Sequence, residues 1–261
     1  MREITLADQL AERAPKLLTL DIETRPLTAK VWGLYDQNIG INQIVDPGGV
    51  ICWAAKWHNQ NKVLFASDHH DGHDQMIRRA WETLDEADIV IGWNHKNFDL
   101  KHLQREFVLA GLGSPTPWQD IDLLHTVRRR FKFPSNKLDH VSRELGIGSK
   151  VVHTGMDLWD RCMDGDEQAW RLMRRYNVQD VRLTEAVYNR LIGWVPAHPN
   201  INMVRNERVS ACSTCGSKDL VDAGVHVTAT RAYDRFRCTS CGAYSRATHS
   251  DPRRTQHRRG V

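Results

Sequence analysis

Apolar and polar positions along the chain fall into blocks whose period changes between two and about 3.6 residues, and those changes mark its elements. Residues 17–23 are an apolar run ending on acidic side chains, the pattern of a buried strand. Residues 50–57 and 62–66 predict two more strands, split by the polar Asn59-Gln60-Asn61 of a hairpin turn. From His73 to Ala87, the residues Met76, Ile77, Ala80, Trp81 and Leu84 recur at helical spacing, and Asp88 to Trp93 then predicts a strand. Residues 97–110 predict a second amphipathic helix, with Leu100, Leu103 and Phe107 on one side and Gly111 and Gly113 at its end. Ile121 to Arg130 predicts a helix, Phe133-Pro134-Ser135 a loop, Lys137 to Leu145 a short helix stopped by Gly146, and Asp166 to Ile192 a long one. Three strands followed by alternating helix and strand give an α/β class with a mixed sheet.

Gly193 to Val209 contains Pro196 and Pro199 and little periodicity, and all nine tryptophans precede Val195. Tryptophan buries a large area, so the core belongs to the first part of the chain. The expected organisation is a main domain over 1–195, a linker over 196–209, a small module over 210–247 and a basic, disordered tail over 248–261. Charge is uneven: residues 200–261 hold eleven Lys/Arg and five Asp/Glu, leaving 25 basic and 27 acidic residues in 1–199. The basic end suits a polyanion or a solvated tail. No apolar run approaches the roughly 20 residues that span a bilayer. Met1 to Lys16 lacks a secretory hydrophobic region, so a cytoplasmic location without membrane contact is expected.

Acidic residues then change the picture. Asp21 and Glu23 end the first strand, Asp99 follows Phe98 after the strand ending at Trp93, and Asp180 lies within the long helix. Strand side chains alternate, so Asp21 and Glu23 share a face. Tyr176 and Asp180, spaced i, i+4, share a face of the helix. Asp99 has a second reading, as the N-cap of a helix starting at Leu100. Like charges gathered beside an apolar interior are costly unless cations neutralise them. Hard carboxylate oxygens suit magnesium or manganese, and the chemistry that follows is metal-assisted phosphodiester hydrolysis.

Leu20-Asp21-Ile22-Glu23-Thr24, Asn94 through Phe98-Asp99, and Tyr176-x-x-x-Asp180 together resemble the three motifs of the DEDD exonuclease superfamily. The second motif is similar to the form in family B DNA polymerase proofreading domains, and the third to the tyrosine subclass (DEDDy). The histidine subclass would place a histidine where this chain has Arg175. The resemblance covers roughly residues 17–192 and implies a ribonuclease-H-like fold and 3′→5′ exonuclease activity with two Mg2+ or Mn2+ ions. It implies that Asp21 bridges the two metals, that Glu23 and Asp180 complete the tighter site, that Asp99 holds the second metal, and that Tyr176 orients the attacking water. Thr24, Asn94 and Phe98 would contact substrate, Phe98 by stacking on a terminal base or, alternatively, as core. Implied partners are single-stranded DNA or DNA 3′ ends, with RNA open, and a replication or repair protein. The rival readings are a non-catalytic nucleic-acid-binding or scaffolding protein on an inactive nuclease fold, and a 3′→5′ exoribonuclease.

Two further patterns stand apart. Asp68-His69-His70-Asp71-Gly72-His73-Asp74 reads as a solvated loop and helix cap, and Arg128-Arg129-Arg130 with Lys132 as either a solvated helix end or a phosphate contact. Cys212-x-x-Cys215-Gly216 and Cys238-x-x-Cys241-Gly242, 22 residues apart, have the spacing of metal ligands and resemble a zinc ribbon. One structural Zn2+ on four thiolates leaves no open position for catalysis. Arg231, Arg235, Arg237 and Arg246 in this module suit nucleic acid, and protein docking is the alternative. Cys52 reads as an inert core thiol, and Cys162 has no nearby partner that would make it a nucleophile.

Overall fold

A computed structural model describes residues 14–205 and 210–252. Its first strand, β1 (Leu17–Arg25), is the middle of a five-stranded sheet. The short strands β2 (Thr28–Ala29) and β3 (Ile44–Asp46) pair with each other, and β4 (Gly49–Trp57) and β5 (Val63–Ser67) rejoin the main sheet. The helices α1 (Asp68–Asp71) and α2 (His73–Asp85), strand β6 (Ile89–Gly92) and helix α3 (Asp99–Leu109) follow. Then come β7 (Gln119–Asp122), α4 (Leu123–Arg130), α5 (Leu138–Glu144), α6 (Met156–Met163) and α7 (Glu167–Leu191). The sheet order is β5-β4-β1-β6-β7; β4 runs antiparallel to both β1 and β5, whereas β1, β6 and β7 run parallel. This is the mixed α/β sheet flanked by helices that the sequence pattern predicts.

Strand alternation sorts β1 into two faces. Leu18, Leu20 and Ile22 are buried with Met76, Ile77 and Ala80 of α2 and Leu100, Leu103 and Phe107 of α3. Thr19, Asp21 and Glu23 point the other way, and Asn177 of α7 reaches Asp21 there. Ile51 and Cys52 of β4 pack with Leu158 and Cys162 of α6 and with Trp170, Met173 and Tyr176 of α7. The indole N–H groups of the buried Trp53 and Trp170 donate to the carbonyls of Met76 and Cys162, each at 2.9 Å, so neither leaves a polar group unmet.

Several elements differ from the sequence expectation. Residues 119–122 form β7, parallel to β6, and the predicted helix starts only at Leu123, with the Asp122 side chain accepting from the His125 amide. α6 lies between Gly155 and Gly165, where no helix was expected. Within the expected linker, Asn202–Arg205 is helical, and the Asn202 side-chain Nδ2 donates to the carbonyls of Ala211 and Cys212. Residues 206–209 of that linker and 253–261 of the expected tail lie outside the described residues.

The chain divides into two compact units, one of which is Lys16–Tyr188. The second unit contains a three-stranded antiparallel sheet of order β10-β9-β8, from β8 (Leu220–Val227), β9 (Ala232–Cys238) and β10 (Tyr244–Arg246). No described helix is long and apolar enough to cross a membrane.

Candidate active site

Asp21 and Glu23 lie near the end of β1, where a register shift between Glu23 and Thr24 interrupts the pairing with β4 before it resumes at Thr24 and Val50. Asp21 and Glu23, on the face opposite Leu20 and Ile22, meet Asp180 of α7, and ligand oxygens of the three lie within 4.8 Å of one another. Asp180 is 1% exposed, and its Oδ1 is buried without a hydrogen-bond partner. Asp99 comes from a third element. Gly92 ends β6 where an added Cβ would stand 2.5 Å from the His95 Cβ, and Asn94 follows at φ 65°, so the chain turns tightly into α3. Asp99 is the first residue of α3 rather than its cap, and its Oδ1 accepts from the Ile22 amide at 3.0 Å. That bond ties it to the backbone between Asp21 and Glu23, outside the three-carboxylate group.

Burial and mutual repulsion dominate the electrostatics. Burial, then Asp99, Asp180 and Glu23, push Asp21 well above the usual carboxylate range. Burial and Asp180 raise Glu23 from 4.5 to about 8. Burial raises Asp99 to about 6 against the pull of His95 and of the Ile22 amide. Burial raises Tyr176 to about 12, with Asp180 adding to it, so its hydroxyl stays protonated at neutral pH. Three hard oxygens aimed together, one of them buried and unpartnered, fit a hard divalent cation.

Lys150, in the loop between α5 and α6, is a residue the sequence reading missed. Its ammonium donates to Asp180 Oδ2 and, at 3.2 Å, to the Tyr176 hydroxyl. Burial opposes its charge, but Asp180, Tyr176 and Asp21 hold its pKa above the ordinary lysine value. Asn177 is a second missed residue: buried on α7, it donates to Asp21 Oδ2 at 2.6 Å and fixes that carboxylate. His95, fully buried with Nε2 3.1 Å from Asp120 Oδ1, is a third. The Tyr176 ring is held edge-on against His153 at 4.8 Å and Trp159 at 6.1 Å.

A cavity of about 620 Å3 opens beside Asp21 and is lined by Asn94, Arg128, Lys137 and Lys150 among others. That volume suits a small organic ligand. Of the basic run at the end of α4, Arg128 lines this cavity. The Asn94 amide donates to Asp122 Oδ1 at 3.1 Å. Phe98 is 40% exposed, with its ring 4.6 Å from that of His102, so it is not core. Thr24 is half-buried just past the register shift. His69 and His70 are not part of this site and meet Glu167 instead, with His69 Nε2 2.8 Å from Oε1. Cys52 is buried and its thiol pushed far up by burial, and burial raises Cys162 to about 12, so both are inert.

In the second unit, the Sγ atoms of Cys212, Cys215, Cys238 and Cys241 lie within 4.8 Å of one another, with the Cys212–Cys241 and Cys215–Cys238 pairs each 3.6 Å apart. Tetrahedral zinc at about 2.3 Å from each sulfur separates the sulfurs by roughly 3.8 Å, so the cluster fits a zinc ribbon. Gly216 and Gly242 each adopt φ 75°, and their amides close the turns onto the Cys212 and Cys238 carbonyls. Burial raises the Cys238 thiol, but the amides of Cys241 and Ser240 outweigh it and bring the thiol down to about 7.

Residues 18–192 match the model of the RNase_H superfamily. In fold the chain is similar to the family B DNA polymerase from the hyperthermophilic archaeon Pyrobaculum calidifontis, with a TM-score of 0.53 and 17% identity over 76% of this chain. The likeness covers 28% of that polymerase's length. No curated protein matches the chain in sequence.

Proposed function

The chain belongs to the RNase_H superfamily, and on that premise we propose that it is a metal-dependent 3′→5′ exonuclease that removes mononucleotides from single-stranded DNA ends. Superfamily membership supports a nuclease. The observation that carries the finer reading is the meeting of Asp21, Glu23 and Asp180 within 4.8 Å, beside a protonated tyrosine and a cavity with basic side chains. Its likeness in fold to a DNA polymerase favours DNA over RNA.

Asp21, Glu23 and Asp180 would hold one Mg2+ or Mn2+, and Asp21 with Asp99 a second. Bound divalent cations supply the charge that makes water a nucleophile and stabilises the leaving oxygen. The chain's own residues do the rest. Asn177 keeps Asp21 in one orientation. The Tyr176 hydroxyl, protonated and wedged between His153 and Trp159, donates a hydrogen bond that orients the water or a phosphate oxygen; it is not a base. Lys150 offsets part of the carboxylate charge, so that an anionic phosphodiester is not repelled. Arg128 and Lys137 face the cavity where the polyanionic strand would lie. Phe98, exposed at the start of α3, stacks on the terminal base. A replication or repair protein would supply the ends to be trimmed.

The test uses 5′-labelled single-stranded DNA and matched RNA with Mg2+, Mn2+ or excess chelator, beside Asp21→Ala. A metal-dependent ladder shrinking from the DNA 3′ end and absent in the variant is expected. Binding without cleavage of either strand would move the reading to a binding protein on an inactive fold. Preferential RNA cleavage would move it to an exoribonuclease.

A further inference from the structure

The second unit presents a face that the nuclease centre does not use. On β9, Tyr233, Arg235 and Arg237 alternate with Ala232, Asp234 and Phe236 and therefore share one side of the sheet. Register sets Tyr244 of β10 opposite Arg237 and Arg246 opposite Arg235. On the other edge, β8 sets His226 opposite Tyr233 and Val221 opposite Arg237. Directly opposed residues lie on the same side, so three arginines, two tyrosines and a histidine fall together. The carboxylates of these strands go to the reverse side: Asp222 opposes Phe236, and Asp234 opposes Val225.

The arginines are laid over the aromatic rings. The Arg246 guanidinium carbon lies 3.9 Å from the centroid of Tyr233, and those of Arg235 and Arg237 lie 5.7 Å and 5.9 Å from that of Tyr244. Arg235 is anchored by Nε and Nη2, which donate to the Ala223 carbonyl at 2.9 and 2.7 Å. Among the described residues, no carboxylate pairs with Arg235, Arg237 or Arg246. Tyr244 is 60% exposed. The apolar cluster of this unit sits instead around Cys212, Cys238, Ala243 and Leu220, so the face is not its core.

The Arg235 edge is taken up by Ala223, but Arg237 and Arg246 still offer N–H groups to phosphate oxygens, and the exposed Tyr244 ring accepts a base. An acidic peptide would satisfy the charge but leave Tyr244 without a flat partner. We propose that this face binds single-stranded DNA, with phosphates on Arg237 and Arg246, the anchored Arg235 adding positive charge, and a base stacked on Tyr244. The choice of DNA rests on the reading above, whereas the binding face stands on its own geometry.

The test is binding of labelled 20-nucleotide single-stranded DNA to the full, zinc-loaded chain carrying Asp180→Asn, followed by fluorescence anisotropy from low to high salt. This readout needs no hydrolysis, so it can fail or succeed independently of the exonuclease reading. Arg237→Gln with Arg246→Gln is expected to reduce the slope of log affinity against log salt by about 1.4, at about 0.7 per lost phosphate contact. Tyr244→Ala is expected to weaken binding about 5- to 150-fold, from the usual worth of a base stacked on an aromatic ring, and Tyr244→Phe to restore it. Zinc content is measured for each variant, and the exposed Tyr244→Phe serves as the folded reference. Unchanged slope and affinity in zinc-loaded variants would overturn the proposal. So would tighter binding of poly-glutamate than of DNA, or of matched RNA than of DNA.

Discussion

Raising the pH of the metal-free chain from about 5 to about 8 is expected to destabilise the unit Lys16–Tyr188. In the folded chain Glu23 titrates at about 8 against an ordinary 4.5, because it is buried and faces Asp180. Between those values the folded chain keeps a proton that the unfolded chain has released. The unfolded state then binds fewer protons, so stability falls as pH rises. One linked proton changes stability by about 1.4 kcal/mol per pH unit, and Asp21, raised for the same reasons, steepens the fall. Asp99, at about 6, adds to it only in the lower part of the range. Asp120 and Glu185 are shifted downward, so their stabilisation is lost only as pH falls below the ordinary carboxylate values, outside this window. Divalent cations displace the same protons, so saturating Mg2+ is expected to flatten the slope, and its binding is expected to tighten with pH and release protons. Urea unfolding in chelator, followed by tryptophan fluorescence, isolates the effect, since only Trp194 of the nine tryptophans lies outside this unit. Glu23→Gln should remove its share of the slope. Metal-free stability that stays flat or rises between pH 5 and 8 would refute the reasoning.

Lys150→Met removes the ammonium held by Asp180 and Tyr176. Turnover is expected to fall about 10- to 100-fold, the worth of a charge-assisted hydrogen bond, while Mg2+ binds severalfold more tightly; calorimetry and single-turnover kinetics read the two effects separately. Cys238→Ser is expected to lose the bound zinc and the sheet β8–β10 while leaving the tryptophan-monitored unfolding of Lys16–Tyr188 in place; full zinc content by metal analysis would contradict this.

What could be read from the sequence, and what could not, follows the range of the interactions. The two-residue period of β1 already put Asp21 and Glu23 on one side and Leu20 and Ile22 on the other, because strand geometry is local. The i, i+4 relation of Tyr176 and Asp180 is local in the same way. β7 was hidden because it is a four-residue edge strand whose only apolar residue, Ile121, also fits a helix start; its pairing with β6 decides its form. Lys150 sits in a loop without periodicity, and Asn177 finds its partner on β1, so nothing near either residue in the sequence announces it. Phe98 had two readings, core or stacking surface, and its exposure could not be seen without knowing that α3 starts at Asp99. The cysteine pairs were legible because four thiolates at that spacing have few other uses.

The acidic centre draws on β1, the start of α3 and α7, and this has a consequence for biosynthesis. Asp21 and Asp180 are about 160 residues apart. At the usual 5–20 residues per second, a ribosome needs about 8 to 30 s to pass from one to the other. Throughout that interval the emerging polypeptide carries acidic ligands without the helix that completes them. Fragments released before Asp180, whether by premature termination or by proteolysis, would lack the third carboxylate together with Asn177 and Tyr176. The acidic centre is therefore completed only once α7 has been made.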